Sequence, residues 1–161
     1  MKHMNAEKIL KALCASLVLL VSPVALAEEV EAEQAYADHA VGGFIGVTGS
    51  GRRDNGLTLA LSYEHRFNQS FGLGGEVERV FGDLDFWLAT LLTAYHVGEW
   101  KLFAGPGFEK LDGGDTEFLL RIGGEYAIEI SDSWEMSPTV ALDFVDGDQE
   151  IIVGLAFGYG F

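Results

Sequence analysis

Cysteine is nearly absent from this chain, since Cys14 is the one cysteine among its 161 residues. It lies in an N-terminal segment, residues 1–27, that we expect to be removed from the mature protein. The mature chain would then contain neither a disulfide nor a thiol nucleophile. This excludes both a disulfide-stapled fold and cysteine-based catalysis.

Residues 1–27 have the three parts of a secretory signal peptide. Lys2, Lys8 and Lys11 form a positive head, an apolar stretch covers 12–21, and small residues precede a predicted cut after Ala27. A retained membrane anchor is disfavoured because the apolar stretch is shorter than the roughly 20 residues needed to span a bilayer. A lipoprotein signal is disfavoured because Leu13, rather than a small residue, precedes the cysteine.

Basic residues are also scarce. Removal of the predicted signal peptide leaves seven Lys and Arg against 24 Asp and Glu, a formal charge of −17 over 134 residues. This balance argues against nucleic acid as a partner and against docking by a basic patch onto anionic lipid. The remaining length is sufficient for one domain.

Long helical patterns are missing as well, because no mature stretch has the 3.6-residue apolar period and length of a long helix. Residues 28–39 are acidic with little apolar periodicity, which predicts a flexible lead-in. From residue 40 onward, apolar runs are separated by turn-forming sequences. The pattern predicts an all-β, eight-stranded antiparallel up-and-down barrel over 40–161, with strands at about 40–50, 57–67, 71–82, 86–97, 100–110, 116–130, 135–145 and 149–161.

Alternation along the strands indicates which face of this barrel meets water. Large apolar residues such as Leu59, Ile122 and Leu155 alternate with small or polar ones. Alternation alone also fits a soluble barrel with an apolar interior. The large side chains would overfill a narrow barrel, however, whereas the Gly, Ala and charged residues opposite them suit its lumen. We therefore predict a transmembrane barrel whose bulky residues face lipid.

Strand length and aromatic placement agree with a membrane barrel. The eight segments reach the roughly 9–11 residues that a tilted spanning strand needs. Aromatic residues predict two interfacial girdles, with ordinary core aromatics as the alternative. One girdle contains Phe67, Phe71, Tyr95, Trp100, Trp134, Tyr159 and Phe161, and the other contains Phe81, Phe86, Trp87, Phe108, Phe118 and Phe144. The short connections NQS, GE and SDS predict periplasmic turns on the side of the N-terminus.

The chain ends in GLAFGYGF, residues 154–161. Its alternating aromatics Phe157, Tyr159 and Phe161 resemble the C-terminal signal that the outer-membrane assembly machinery recognises. With the signal peptide and eight strands, the chain resembles the small porin-like outer-membrane β-barrel families. YEHRF at 63–67, FAGPGFE at 103–109 and FVDGD at 144–148 resemble a poorly characterised branch of that group.

This resemblance implies residence in a Gram-negative outer membrane with a periplasmic N-terminus. The implied partners are outer-membrane lipid and lipopolysaccharide, and the barrel assembly machinery during biogenesis. The oligomeric state is not specified, although a monomer is favoured.

Two enzyme families share this architecture, the lipid A deacylases and a palmitoyltransferase type. The deacylases pair a His with a Ser two residues later, whereas here His65 is followed by Phe67 and His96 by Gly98. The palmitoyltransferase type has an amphipathic N-terminal helix and an external His, Asp and Ser group, for which this sequence has no counterpart. We therefore predict no catalytic residues, no enzyme activity and no cofactor.

Ten ionisable residues are predicted to face the lumen: Glu64, Arg66, Glu76, Glu78, Lys101, Glu109, Arg121, Glu125, Glu129 and Asp143. Buried charges are retained only with partners, so the favoured interpretation is a salt-bridged polar core in a structural or interaction barrel. Their acidic excess also motivates a small cation-preferring channel, although eight strands usually leave an interior just wide enough for side chains. A lipid A-modifying enzyme is the third hypothesis.

Acidic residues also gather at the predicted turns, where binding of a divalent ion shared with lipopolysaccharide is one interpretation: Asp83, Asp85, Asp112, Asp115, Asp146, Asp148 and Glu150. We interpret them as turn residues, because Asp and Gly are favoured there for backbone reasons and none has the calcium-loop spacing. No metal site is therefore predicted. Arg52 and Arg53 are assigned to a solvated loop, with contact to lipid phosphates as the alternative.

One strand resists assignment. FWLATLLTAYHV, residues 86–97, is apolar on both faces, so its register is not predicted. A fully buried strand and a subunit contact are equally consistent with it.

Overall fold

The computed structural model describes residues 37–50, 55–111 and 113–161. The predicted signal peptide, residues 28–36 of the acidic segment, Arg52, Arg53 and Asp112 lie outside the described residues. Within the described ranges, no helix is long and apolar enough to cross a membrane.

The described chain folds into β-strands joined by turns. The strands are β1 (His39–Ser50), β2 (Asn55–Arg66), β3 (Phe71–Gly82), β4 (Phe86–Val97), β5 (Trp100–Leu111), β6 (Thr116–Tyr126), β7 (Ile128–Ser131), β8 (Trp134–Val145) and β9 (Asp148–Gly160). All pairings are antiparallel, and the sheet closes because β1 pairs with both β2 and β9. Among the described residues, closure leaves a free sheet edge only along β7, which pairs with β8 alone.

The sixth predicted strand is present but interrupted. β6 and β7 both pair with β8, and Glu125↔Thr139 and Ile128↔Met136 belong to one register. Between them, the Ala127 amide donates a 2.7 Å hydrogen bond to the carbonyl of Glu99, in the turn after β4. β6 and β7 therefore act as one barrel strand, and the predicted eight-stranded antiparallel barrel is confirmed.

The two ends of the barrel carry different connections. The terminal rim contains the turns at 67–70, 98–99 and 132–133 together with the start of β1 and the end of β9. The distal rim contains the connections from β1 to β2, β3 to β4, β5 to β6 and β8 to β9. In the last of these, Asp146 has a φ of 42° and Gly147 a φ of 88°, the positive values that a two-residue hairpin turn requires.

The faces of the strands follow the predicted alternation. Leu59, Ile122 and Leu155 are 42%, 43% and 38% exposed, whereas Thr58 and Arg121 are buried. Large apolar side chains therefore cover the outside, and polar groups occupy the lumen. This arrangement stabilises a barrel surrounded by lipid and is opposite to that of a soluble barrel.

Aromatic side chains are exposed at both rims, as predicted. Across neighbouring strands, Phe71 lies 5.1 Å from Tyr95 and Trp134 lies 5.1 Å from Tyr159, measured between ring centroids. Such cross-strand aromatic pairs contribute to sheet stability beyond the area they bury. Phe86 is the exception to the prediction, because it is only 1% exposed and points into the lumen.

The burial of Phe86 shows the register of β4. Phe86, Leu88, Thr90 and Ala94 are buried, while Trp87, Leu91 and Tyr95 face outward. Both faces of this strand are apolar because its inner side packs within the lumen and its outer side faces lipid.

Candidate functional site: the charged lumen

Arg121 lies at the centre of a buried ion cluster, which we call the central cluster, with Glu76, Glu78 and Asp143. Its Nε and Nη2 donate to the two carboxylate oxygens of Asp143 at 2.7 and 2.6 Å. Its Nη1 donates to Glu76 Oε1 at 2.6 Å and to Glu78. Arg121, Glu78 and Asp143 are each at most 2% exposed.

The central cluster connects opposite walls of the barrel. Arg121 is on β6 and Asp143 is its register partner on β8, whereas Glu76 and Glu78 come from β3. A guanidinium is suited to this position because its planar fork satisfies one carboxylate with two hydrogen bonds and still reaches others. The arrangement places one cation against three carboxylates and blocks the middle of the lumen.

A second ion cluster lies nearer the terminal rim, and we call it the terminal cluster. Glu64 accepts a 2.6 Å hydrogen bond from His96 Nε2 and pairs with Lys101 Nζ at 3.2 Å and Arg66 Nε at 3.6 Å. Lys101 also pairs with Glu125. The cluster joins β2, β4, β5 and β6, so it too crosses strand boundaries around the wall.

Gly72 makes room for the terminal cluster. A Cβ added at this position would collide with the carboxylate of Glu64. The absence of a side chain on β3 therefore permits Glu64 on β2 to turn inward toward His96 and Lys101.

The distal end of the lumen is filled by an apolar cap. Val80, Phe86, Leu88, Leu119 and Val145 form this cluster, and each is at most 6% exposed. They come from β3, β4, β6 and β8, close to the distal rim. The cap excludes water from that end and surrounds the nearby ionic groups with apolar contacts.

Glu109 and Glu150 are buried in the distal half at 4% and 7% exposure. The Oε2 atom of each has no hydrogen-bond partner among the described residues. Nearby, Thr48 and Thr58 satisfy one another through a 2.6 Å hydrogen bond between their hydroxyls. Among the described residues, Glu109 and Glu150 have no ion pair with a cation, unlike the acidic groups of the other two clusters.

A cavity of about 90 Å³ lies in the terminal half of the lumen. Its lining extends from Glu135 and Gly158 near the terminal rim to Glu78 and Arg121 of the central cluster. The space is polar and large enough for several ordered water molecules. It ends at the central cluster, beyond which the apolar cap fills the lumen.

The structure places the ten predicted lumen residues unequally. Eight of them belong to the two clusters through ion pairs between their side chains. The central cluster contains Glu76, Glu78, Arg121 and Asp143, and the terminal cluster contains Glu64, Arg66, Lys101 and Glu125. Glu109 is buried but forms no ion pair with either cluster. Glu129 is exposed, because β7 lies at the mouth of the barrel on the terminal rim.

His96 and Glu150 are ionisable lumen residues that were not predicted. His96 was missed because the register of its strand could not be assigned. Glu150 was interpreted as a turn residue, although its spacing of four from Gly154 already placed it on the inward face of β9. In the described part of the chain, no group of three His, Cys, Asp or Glu residues is positioned to hold a metal ion.

Comparisons with known proteins rest on structure alone. No protein-family model and no curated protein matches the sequence. Among solved structures, the N-terminal β-barrel domain of Pseudomonas aeruginosa OprF is similar with a TM-score of 0.64 and 13% identity, covering 79% of this chain and 100% of that one. The chain has the fold of the small eight-stranded outer-membrane β-barrels.

Two further structures of outer-membrane barrels have the same architecture as this chain. Neisserial surface protein A (NspA) has a TM-score of 0.51 and 12% identity, covering 76% of this chain and 96% of that one. Ail, the attachment invasion locus protein of Yersinia pestis, has a TM-score of 0.51 and 14% identity, covering 79% of this chain and 100% of that one. At these identities the likeness establishes the fold alone.

Proposed function

We propose that this chain is a non-conducting barrel of the Gram-negative outer membrane, with a structural or interaction role at its lipid surface and a periplasmic N-terminus. The observation that supports the proposal is the double obstruction of the lumen. The central cluster bridges β3 to β6 and β8, and the apolar cap fills the distal end.

The obstruction is energetically costly to remove. A passing ion would have to separate Arg121 from Asp143 and from its β3 partners, and an unpaired buried charge costs several kcal/mol. Eight strands also enclose a space that side chains alone can fill. Both considerations favour a barrel that acts through its surfaces rather than through a pore.

A small cation-preferring channel is the second candidate, and the acidic excess in the lumen favours it. Of the buried ionisable residues, Glu64, Glu78, Glu109, Glu125, Asp143 and Glu150 are acidic, and Arg121 is basic. Rings of carboxylates attract cations in known channels. The two candidates therefore differ in whether the central cluster and the cap open.

Planar-bilayer recordings of the purified mature protein distinguish the two candidates. We expect no discrete openings from the unmodified barrel. A triple variant, Arg121→Ala with Phe86→Ala and Leu88→Ala, removes the cation of the central cluster and truncates two of the five cap side chains. It serves as the control that is expected to conduct and so shows that the assay detects a pore. Discrete cation-selective openings of the unmodified protein would contradict the proposal and support the channel.

A non-enzymatic role forms part of the proposal. The described histidines bond to partners other than serine: His39 to the Tyr63 hydroxyl at 2.8 Å, His65 to the Asp38 carbonyl at 3.2 Å and His96 to Glu64 at 2.6 Å. None of these contacts pairs a histidine with a serine hydroxyl, the pairing by which a Ser/His hydrolase activates its nucleophile. We expect identical lipid A mass spectra from cells with and without the protein, and any change in acylation would contradict this part of the proposal.

A further inference from the structure

Two basic residues face outward near the distal rim, beside a tryptophan. Arg79 on β3 is the register partner of Trp87 on β4, which is in turn the partner of Lys110 on β5. Along their strands, Arg79 and Lys110 lie on the same face as the exposed apolar residues. The other Lys and Arg of the described residues belong to the two lumen clusters, so Arg79 and Lys110 supply the positive charge of the described outer wall.

Arg79 is held in place yet incompletely satisfied. Its Nη2 pairs with Asp85, and its guanidinium carbon lies 5.3 Å from the ring centroids of both Phe81 and Trp87. Its Nη1 is buried and has no acceptor among the described residues. A buried donor without an acceptor is unfavourable, so an anionic oxygen from outside the chain would stabilise this position.

An apolar groove begins at Arg79 and runs down the outer wall. Its volume is about 500 Å³, which lies within the range of about 300–1,000 Å³ typical of ligand sites. Beyond Arg79 and Trp87, its lining includes Gly43, Ile45, Leu59, Leu61, Val77 and Phe157. Gly43 keeps the groove open, because a Cβ there would meet only the Ala60 carbonyl oxygen, at 3.8 Å.

A cation at one end of an apolar groove complements a lipid with an anionic headgroup. We propose that Arg79, Trp87, Lys110 and this groove bind the phosphorylated lipid A part of lipopolysaccharide. A phosphate accepts hydrogen bonds from Arg79 and Lys110, and an acyl chain lies in the groove. This inference rests on the proposed function, because the periplasmic N-terminus places the distal rim in the outer leaflet, where lipopolysaccharide lies.

The strong negative charge of the chain gives no general attraction for anionic lipid. The site therefore differs from a basic patch, since two local cations act together with a shaped apolar surface. Asp85 competes with the phosphate for Arg79, so its removal is expected to strengthen binding. The proposal thus predicts both loss and gain of affinity from single substitutions.

Native mass spectrometry of the detergent-extracted mature protein tests the lipid class. The probes are diphosphorylated lipid A, the same lipid without phosphates, and phosphatidylglycerol as a phospholipid phosphate. We expect diphosphorylated lipid A to bind about tenfold more tightly than either of the others. Equal binding of the dephosphorylated lipid, or equal binding of phosphatidylglycerol, would overturn the assignment to lipid A phosphate.

Single substitutions locate the site. Arg79→Gln and the groove-filling Gly43→Leu are each expected to weaken binding of diphosphorylated lipid A about tenfold, and Asp85→Asn to strengthen it. Arg66→Gln is the control for Arg79→Gln, because it removes a charge in the lumen. Gly124→Leu is the control for Gly43→Leu, because it adds a side chain on the outer face of β6. There, only the tip of the Leu102 side chain, 3.2 Å from the added Cβ, must move. Heat-modifiable gel migration verifies that each variant folds. If Arg79→Gln does not fold, Gly43→Leu still tests the site. Variants that bind like the unmodified chain would overturn the site.

Failure of this inference is distinguishable from failure of the proposed function. A barrel that conducts but still prefers diphosphorylated lipid A would contradict only the non-conducting proposal. A silent barrel that ignores lipid phosphate would overturn only the binding site.

Discussion

Arg121 on β6 and Asp143 on β8 are register partners whose side chains form a two-point contact inside the barrel, at 2.7 and 2.6 Å. The same guanidinium reaches Glu76 and Glu78 on the opposite wall. Because one cation contacts three carboxylates, the consequences of removing it differ from those of removing any single carboxylate. Arg121 is therefore the residue on which the closed lumen most depends.

Arg121→Met is expected to lower the free energy of unfolding by about 3–5 kcal/mol, because it leaves the buried carboxylates of Glu78 and Asp143 and the half-buried carboxylate of Glu76 without their cation. Urea unfolding in lipid vesicles, followed by tryptophan fluorescence, measures the loss. Arg66→Met is the control, since the Arg66 side chain is 20% exposed and its 3.6 Å contact with Glu64 is longer than a hydrogen bond. This control is expected to cost no more than about 1 kcal/mol. Equal losses for the two variants would contradict the central role of Arg121.

The register of β4 gives a second prediction from a matched pair of leucines. Leu88 is 2% exposed within the apolar cap, whereas Leu91, three residues later, is 54% exposed on the outer face. Leu88→Ala is expected to cost about 2–5 kcal/mol, since it leaves a cavity in a packed cluster. Leu91→Ala is expected to cost less, because lipid can fill the space that it vacates. The same unfolding measurement applies, and a larger loss at Leu91 would reverse the two faces of the strand.

The sequence predicted the barrel well because period-two alternation has one physical solution in a narrow barrel. With large residues such as Leu59 and Leu155 on one face, that face must lie outside. Alternation could not assign the register of β4, because the inner face of this strand is apolar too. Its register depends on the packing of Phe86 and Leu88 with the other residues of the apolar cap. No local sequence pattern encodes this tertiary contact.

The lumen was predictable as a set of residues but not as a set of contacts. Strand parity placed Arg121, Glu76 and Glu78 on the inner face. Their contact joins residues 43 and 45 positions apart in sequence, and it depends on how far the strands are staggered when the barrel closes. Glu129 shows the opposite case. The alternation predicted that its side chain points inward, but its position on β7 exposes it at the mouth of the barrel.

Orientation in the membrane gives a third prediction, which uses the absence of cysteine from the predicted mature chain. Gln69 lies in a turn of the terminal rim and Asp83 in a turn of the distal rim, and both are exposed. With a periplasmic N-terminus, Asp83→Cys is expected to react with a membrane-impermeant maleimide on intact cells. Gln69→Cys is expected to react only after permeabilisation, and the reverse pattern would place the N-terminus outside.

The side chain of Phe161 gives the fourth prediction, because we expect the folded barrel to depend little on this exposed ring. The main chain of Phe161 exchanges two hydrogen bonds with His39, at 3.1 and 2.9 Å, while its ring is 60% exposed. Phe161→Ala is therefore expected to change the stability of the refolded protein by less than about 1 kcal/mol. If the assembly machinery reads this ring, the amount in the membrane of cells falls severalfold. Phe67→Ala, which removes an equally exposed ring at the same rim, is the control and is expected to leave the amount unchanged. Equal amounts of both variants, measured by immunoblot of isolated membranes, would mean that Phe161 is not part of an assembly signal.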